Sequence, residues 1–231
     1  MKGATPNLSN SSFVIAISGP SGCGKTSLVK AVAERLGDAT MLFFDDFPTD
    51  PPADGELWAT KRDADFSLWA TPEFSAALAS LKSGNPVTLP DISASVGLDR
   101  SRETLPAKFV VVEEPFGRLR PETARSIDFA VFISTPLNVA LARRLIRQMS
   151  TIERWAKLAT NEKERATRLQ GATSSFKSFL ETYADWMHLS YGEQARQLGE
   201  SSDLIVDGLR SVDDLATEVV NAVHQLALDE S

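Results

Sequence analysis

Short apolar runs of strand length alternate along this chain with longer segments in which apolar residues recur every three or four positions. The short runs predict strands that are buried on both faces, and the longer segments predict amphipathic helices. The predicted strands are residues 13–18, 41–44, 109–113, 129–134 and 203–206. The predicted helices are residues 26–36, 72–82, 136–149, a long helical stretch from about 151 to 198, and 212–228. This alternation predicts an α/β fold with a parallel sheet covered by helices on both faces.

Two of the helix starts are marked by a threonine followed by proline, Thr71-Pro72 and Thr135-Pro136. We expect each threonine hydroxyl to cap a helix whose first turn accepts the proline. Two long irregular stretches, residues 45–70 and 91–107, separate predicted elements. Loops of this length in compact enzymes are often functional.

The segment from Gly19 to Thr26 reads GPSGCGKT and matches the phosphate-loop pattern G-x-x-x-x-G-K-[ST] at every fixed position. It lies between a predicted strand and a predicted helix, as such a loop requires. Glycines allow backbone N–H groups to approach phosphate oxygens, Lys25 can reach the β- and γ-phosphates, and Thr26 can offer its hydroxyl to Mg²⁺. A chance glycine-rich turn is the alternative. The predicted nucleotide-binding residues are Gly19, Pro20, Ser21, Gly22, Cys23, Gly24, Lys25, Thr26 and Ser27.

Acidic pairs follow two of the predicted strands: Asp45 and Asp46 after the second, and Glu113 and Glu114 at the end of the third. Because the carboxyl ends of parallel strands meet at one edge of the sheet, these acids should lie near the phosphate loop. Phosphoryl transfer needs a carboxylate for Mg²⁺ and another to accept a hydroxyl proton. We therefore favour Asp45 and Glu113 as site residues, and solvated or capping roles are the alternative.

Three arginines, Arg143, Arg144 and Arg147, occupy the helix predicted after Pro136. They could stabilise the charge that spreads over a transferred phosphoryl group. A solvated basic face is the alternative. Other arginines at 154, 165 and 168 could also belong to a lid over the site, and the sequence leaves the choice among them open.

Composition limits the classes of function. The 231 residues carry a net charge of −7, which makes nucleic acid an improbable main partner. The one cysteine, Cys23, cannot form an internal disulfide, and no apolar run approaches the roughly 20 residues of a membrane span. We expect a cytoplasmic protein with no membrane partner, a disordered segment at 1–12 and a single domain over 13–231. A homodimer is left open.

With these motifs the chain resembles the uridine kinase and phosphoribulokinase group of P-loop kinases, and nicotinamide riboside kinases in particular. The resemblance rests on residues 17–26, 45–47, 110–113 and 132–136, which lead to Arg143 and Arg144. Weaker similarities lie at 64–66, 84–90 and 202–206. The resemblance implies a P-loop NTPase fold, a five-stranded parallel sheet with helices on both faces and a small helical lid within about 143–170.

The resemblance also implies roles. Asp45 would be the general base, Glu113 would assist the metal, Asp65 would hold sugar hydroxyls, and Arg143, Arg144 or Arg147 would close over the phosphates. The implied metal residues are Thr26, Asp45 and Glu113, with ATP and Mg²⁺ as cofactors. Trp69, like Trp58 and Phe66, could stack on a base, although large aromatic residues are more often part of the core.

The chain departs from this family at several positions. Glu114 stands where the family usually has glycine, and Trp69-Ala70-Thr71-Pro72 replaces an aromatic-Asp-His-Pro run. The usual arginine pattern of the lid is absent. These departures leave the kinase motifs readable but do not identify the substrate.

We predict ATP-dependent phosphoryl transfer to a hydroxyl of a small, nucleoside-like metabolite. The alternative is a P-loop nucleotide switch or ATPase that acts on a protein partner, and a nucleotide-binding pseudo-enzyme is a third possibility. Residues 114–117 and 161–164 are poor matches to the Asp-x-x-Gly and Asn-Lys-x-Asp motifs of GTPases.

Overall fold

The computed structural model describes residues 11–48, 65–90 and 101–229. Its strands are β1 Phe13–Ser18, β2 Ala39–Phe43, β3 Val87–Pro90, β4 Ser101–Thr104, β5 Phe109–Glu113, β6 Phe129–Ser134 and β7 Leu204–Asp207. Five of them form a sheet in the order β2-β5-β1-β6-β7, and every neighbouring pair in it is parallel. The strands β3 and β4 form a separate antiparallel pair.

The helices are α1 Lys25–Leu36, α2 Pro72–Lys82, α3 Pro121–Ala124, α4 Leu137–Lys157, α5 Glu162–Thr182, α6 His188–Ser201 and α7 Val212–Asp229. Short 3₁₀ turns cover Phe44–Asp46, Phe66–Leu68 and Gly117–Leu119, and a π-helical turn, Tyr183–Met187, precedes α6. In the described part of the chain, no helix has the length and apolar character needed to cross a membrane.

The core lies on both faces of the parallel sheet. Alternate side chains of a strand point to opposite faces, so Val14 and Ala16 of the central strand β1 join one cluster while Ile15 and Ile17 join the other. The first cluster packs against α2, and the second packs against α1 and α7. Because both faces are covered, the polar ends of the strands are the positions where chemistry can face solvent.

The five predicted strands of the main sheet are confirmed, and their ends differ from the prediction by two residues or fewer. The helix predicted at 136–149 continues to Lys157, and the stretch predicted at 151–198 is not a single helix. A break at 158–161 ends α4, and the Asn161 side chain caps α5 by accepting the Glu164 N–H at 2.9 Å. The antiparallel pair β3–β4 and the short helix α3 were not predicted.

The two threonine caps were wrong. Thr71 occupies the position before α2, but its hydroxyl donates to Glu122 Oε1 at 3.1 Å instead of capping the helix. The helix after Thr135 begins one residue later than predicted, at Leu137, and within the described residues the buried Thr135 hydroxyl has no hydrogen-bond partner. Most of the expected disordered segment 1–12 and parts of both irregular stretches lie outside the described residues.

Candidate active site

The phosphate loop connects β1 to α1 in a conformation that depends on glycine. Gly19, Gly22 and Gly24 have φ angles of +139°, +92° and +110°, which L-residues with a side chain rarely adopt. A Cβ on Gly22 would also lie 2.1 Å from the Ala140 carbonyl oxygen in α4. The loop therefore has its shape because three positions lack a side chain.

Lys25 begins α1 and is buried, which is unusual for a lysine. Its Nζ donates to the carbonyl oxygens of Gly19 at 2.9 Å and Pro20 at 3.3 Å, and it lies 3.9 Å from Glu113 Oε1. The ammonium group is thus held inside the loop. The positive end of the α1 dipole is at the same place, so the loop favours a bound anion.

Glu113 ends β5 and lies against the first turn of α1. The Thr26 hydroxyl donates to its Oε2 at 2.7 Å. Burial raises the pKa of Glu113 above its ordinary value, and the Asp45 charge adds to that effect. The positive charge of Lys25, the Thr26 hydrogen bond and the more distant Arg147 act in the opposite direction.

One cavity of about 360 Å³ lies outside the carboxyl ends of β1, β2 and β5. Its lining comes from the phosphate loop, two strand-end acids, an aromatic wall, two arginines and one face of α6. The lining residues are Gly19, Ser21, Gly22, Gly24, Lys25, Thr26, Ser27, Asp45, Phe66, Trp69, Glu113, Pro115, Phe116, Arg143, Arg147, Ser190, Tyr191 and Gln194.

In each acidic pair, one member lines the cavity and the other does not. Asp45 is exposed and lines the cavity, since the buried Phe44 before it fixes the start of the 3₁₀ turn. Asp46 is half-buried and does not line the cavity. Glu113 lines the cavity, whereas Glu114 is fully buried and forms an ion pair with Arg120.

The three predicted arginines also have different surroundings. Arg143 and Arg147 are exposed and line the cavity, and Arg143 donates to the Gly208 carbonyl oxygen at 2.9 Å. Arg144 does not line it. Its guanidinium donates to the Tyr191 hydroxyl at 3.1 Å and lies 4.2 Å from the ring centre of Phe179, so it joins α4 to α5 and α6.

The aromatic wall consists of Phe66, Trp69 and Phe116. The rings of Phe66 and Phe116 stack with centroids 5.5 Å apart, and the Trp69 and Phe116 centroids are 5.6 Å apart. Phe66 is 1% exposed and belongs mainly to the core, whereas Trp69 is half-buried. Asp65 is exposed and does not line the cavity. Trp58 lies outside the described residues.

Two of the predicted loop residues, Pro20 and Cys23, do not line the cavity. Cys23 is buried, and its N–H donates to the Pro20 carbonyl oxygen at 3.2 Å. Burial raises the pKa of the Cys23 thiol, against the opposing effect of the Lys25 charge. The thiol is therefore part of the packing beneath the loop and is not poised to react.

Sequence reasoning missed the face of α6 that lines the cavity. Its buried residues, Ser190, Gln194 and Leu198, recur every four positions, and Gln194 donates to the Pro115 carbonyl oxygen at 2.8 Å. That carbonyl oxygen also accepts the Gly19 N–H at 3.2 Å. Polar residues at core spacing in the predicted helical stretch were the available signal.

Comparison with known proteins finds curated relatives that are named uridine kinase. A model of the AAA family, described as ATPase family associated with various cellular activities, matches residues 15–46, which contain most of β1 and all of the phosphate loop, α1 and β2. The uridine kinase of Deinococcus deserti is 27% identical over 195 residues, which cover 81% of this chain and 85% of that protein. The uridine kinase of Schizosaccharomyces pombe is 28% identical over 143 residues, 59% of this chain and 32% of that protein.

Among solved structures, a Silicibacter sp. TM1040 protein provisionally described as a fructose transport system kinase is 17% identical. The alignment has a TM-score of 0.47 and covers 85% of this chain and 90% of that one. The resemblance to uridine kinases that the motifs indicate is confirmed by the curated relatives. The parallel sheet with its glycine loop and the family-model match confirm the P-loop NTPase fold.

Proposed function

We propose that this chain transfers the terminal phosphoryl group of a nucleoside triphosphate, with ATP and Mg²⁺ as cofactors, to a hydroxyl of a small, nucleoside-like metabolite. One observation carries the proposal: a single cavity contains the phosphate loop, two strand-end carboxylates and an aromatic wall. The curated relatives, which are named uridine kinase, support the same class of reaction.

The cavity divides into two sides. We call the phosphate-loop residues 19–27 the donor side, because loop N–H groups, Lys25 and the α1 dipole would hold the triphosphate there. We call Phe66, Trp69 and Phe116, with Ser190, Tyr191 and Gln194, the acceptor side. Asp45 and Glu113 lie where the two sides meet.

The residues at this boundary fit a magnesium ion. The described residues contain no group of three or more acidic, histidine or cysteine side chains that could by itself hold a metal ion. The Thr26 hydroxyl, Glu113 and Asp45 are all hard oxygen donors, and Mg²⁺ usually takes few protein ligands and several from phosphates and water. When bound, the ion would neutralise charge on the β- and γ-phosphates.

Asp45 is the best candidate for the general base. It is exposed in the cavity, so it can accept the proton of an acceptor hydroxyl. That hydroxyl oxygen forms a bond to the γ-phosphorus while the bond from γ-phosphorus to the bridging oxygen breaks. Charge that spreads over the transferred group would be stabilised by Lys25 and by Arg143 and Arg147, which line the cavity.

The acceptor side supports a ring-bearing substrate. Trp69 is half-buried beside Phe116, and a flat base can stack on such a surface.

Asp65 as a sugar-hydroxyl ligand and Arg144 as a phosphate ligand stay predictions, since neither side chain lines the cavity. The curated relatives favour this kinase over a switch that acts on a protein partner. A cytoplasmic location, the absence of a nucleic-acid partner and the open homodimer also stay predictions.

The test is an acceptor screen. The purified protein is incubated with MgATP or MgGTP and with nucleosides, ribosides, pantothenate and sugars, and nucleoside diphosphate release above the rate without acceptor is measured. We expect release with one class of hydroxyl acceptor and a phosphorylated product by mass spectrometry. Lys25→Gln should abolish this release, and Lys30→Gln, an exposed lysine of α1, should not. The proposal is contradicted if no acceptor in the panel supports turnover, or if nucleoside diphosphate is released without a phosphorylated product.

A further inference from the structure

Arg120 is the largest of the fully buried side chains among the described residues, and the reaction outlined above does not use it. A buried guanidinium is costly unless its charge and hydrogen-bond donors are matched. Here the two terminal nitrogens are matched by groups from two segments, residues 69–71 and 114–122, whereas Nε has no hydrogen-bond partner among the described residues. Its environment therefore shows which parts of the structure it holds together.

The polar contacts of Arg120 reach both the acceptor side and the end of β5. One terminal nitrogen, Nη1, donates to the Trp69 carbonyl oxygen at 3.0 Å, to Glu122 Oε1 at 2.8 Å and to the Thr71 hydroxyl. The other, Nη2, forms the ion pair with Glu114. Glu114 also accepts the Phe116 N–H at 3.1 Å.

The guanidinium also lies against aromatic rings. Its carbon is 5.1 Å from the ring centre of Phe44 and 5.8 Å from that of Phe116. Phe44 directly precedes Asp45, and Glu114 directly follows Glu113. Arg120 thus contacts the chain neighbour of each strand-end acid, as well as two residues of the aromatic wall, Trp69 and Phe116.

We propose that Arg120, paired with Glu114, is a positioning residue that holds the aromatic wall in register with Asp45 and Glu113 and so sets the affinity for the acceptor. This role rests on the proposed function. A planar guanidinium suits it because its donors point in fixed directions, which a lysine or an apolar side chain cannot reproduce. The ion pair itself is weak evidence of a stabilising role, since apolar residues often replace such pairs without loss of stability.

The first test compares Arg120→Lys with Arg118→Lys. Arg118 is on the 3₁₀ turn directly before Arg120 but pairs with Asp203 at 2.7 Å, away from the cavity. We expect Arg120→Lys to raise KM for the acceptor about tenfold, with KM for MgATP within about twofold of wild type. Arg118→Lys should change neither. Unchanged acceptor KM in Arg120→Lys, or equal changes in both KM values, overturns the proposal.

The second test does not need turnover. Hydrogen–deuterium exchange of Arg120→Lys should quicken at residues 65–71 and 114–119 and stay unchanged in the phosphate loop and in β1. Exchange that is unchanged at those residues, or raised equally throughout, overturns the positioning role even if the acceptor screen finds no kinase activity. If the acceptor screen finds no kinase activity, the proposed function fails on that assay alone. The exchange measurement then still decides the positioning role, so the two failures can be distinguished.

Should Arg120→Lys not fold, the double variant Glu114→Gln with Arg120→Met removes both charges together and leaves no unpaired ion in the core. The same rise in acceptor KM, or the same local exchange pattern, is expected from it. Wild-type values in both measurements would show that the pair only fills the core.

Discussion

The donor side comes from one continuous stretch of nine residues, seven of which line the cavity, whereas the acceptor side comes from segments between Phe66 and Gln194 that are up to 128 residues apart. The donor side takes its shape from local backbone angles at Gly19, Gly22 and Gly24. The acceptor side depends on long-range contacts, such as the hydrogen bond from Arg120 to the Trp69 carbonyl oxygen.

This difference has a physical consequence. A loop formed by backbone geometry recognises the part of a ligand that all nucleoside triphosphates share. A surface formed by side chains from separate segments can change its specificity by single substitutions. We therefore expect changes on the donor side to affect every reaction of the protein, and changes on the acceptor side to affect the choice and affinity of the acceptor.

The largest expected effect is at the boundary between the two sides. Asp45→Asn removes the group that would accept the hydroxyl proton but keeps the size of the side chain. We expect kcat to fall by about 10²- to 10⁴-fold, the usual contribution of a general base, while MgATP affinity stays within about twofold. Steady-state kinetics and calorimetric titration measure the two quantities.

Asp38→Asn is the matched control for Asp45→Asn. Asp38 is exposed at the opposite end of β2, so the same loss of charge there should leave kcat unchanged. A kcat close to wild type in Asp45→Asn would remove this residue from the role of base.

A smaller effect is expected from the donor side itself. In Gly22→Ala the new Cβ would meet the Ala140 carbonyl oxygen at 2.1 Å, in a backbone conformation with φ of +92°. We expect the free energy of unfolding to fall by about 1–3 kcal/mol or more, the range for such strained residues, and MgATP binding to weaken. Urea unfolding and calorimetry measure both.

Gly37→Ala separates the backbone effect from the clash. Gly37 ends α1 with φ of +75°, and a Cβ there would meet no atom within 4 Å. The Gly37→Ala variant should lose stability only because its backbone conformation is strained, and it should keep its MgATP affinity. Equal losses in the two variants would mean that the close approach of the loop to α4 has no role.

The same contrast explains which features could be predicted from the sequence. The phosphate loop, β1 and α1 are specified by neighbouring residues, and all were predicted. Asp45 and Glu113 were placed by the general rule that parallel strands end at one edge, and the structure brings both to the cavity.

Features that depend on tertiary contacts were not predictable in this way. No local pattern marks Arg120, because the fold brings it against Trp69 and Thr71, which are 51 and 49 residues away in the sequence. Thr71 was predicted to be a helix cap for the same reason. Its partner Arg120 lies 49 residues away in the sequence, so the local pattern gives no sign of their contact. The α6 face was missed although Ser190, Gln194 and Leu198 have helical core spacing.

On the acceptor side we expect a change of affinity rather than of turnover. Trp69→Ala removes the half-buried ring that a base would stack on. Stacking of a base on an aromatic side chain is worth roughly 1–3 kcal/mol, so KM for a nucleoside-like acceptor should rise at least about fivefold. KM for MgATP should not change, because the ring is not on the donor side.

Trp155→Ala is the control for Trp69→Ala. Trp155 is 58% exposed on α4 and does not line the cavity, so its loss should leave both KM values unchanged. An acceptor KM that is the same in Trp69→Ala and wild type would exclude stacking on this ring. A rise in KM for MgATP instead would place the nucleotide base on this wall and reverse our assignment of the two sides.

The smallest expected effect concerns Glu113, which both sides share. Burial raises the pKa of Glu113 above its ordinary value of 4.5, so the folded protein holds this proton more tightly than the unfolded chain does. Its contribution to the free energy of unfolding is therefore most favourable below about pH 4.5 and is lost as the pH rises to the raised pKa. Each tenfold difference in proton affinity corresponds to about 1.4 kcal/mol.

Glu113→Gln stays neutral at every pH and so lacks this dependence. Without nucleotide, its free energy of unfolding should increase relative to wild type, by on the order of 1 kcal/mol, as the pH rises from 4.5. Glu34→Gln, an exposed acid of α1, should track wild type throughout. Urea unfolding between pH 4 and 8 measures the difference. A constant gap between Glu113→Gln and wild type would mean that Lys25 and Thr26 compensate the burial fully, and that the boundary carboxylate is charged before any cation arrives.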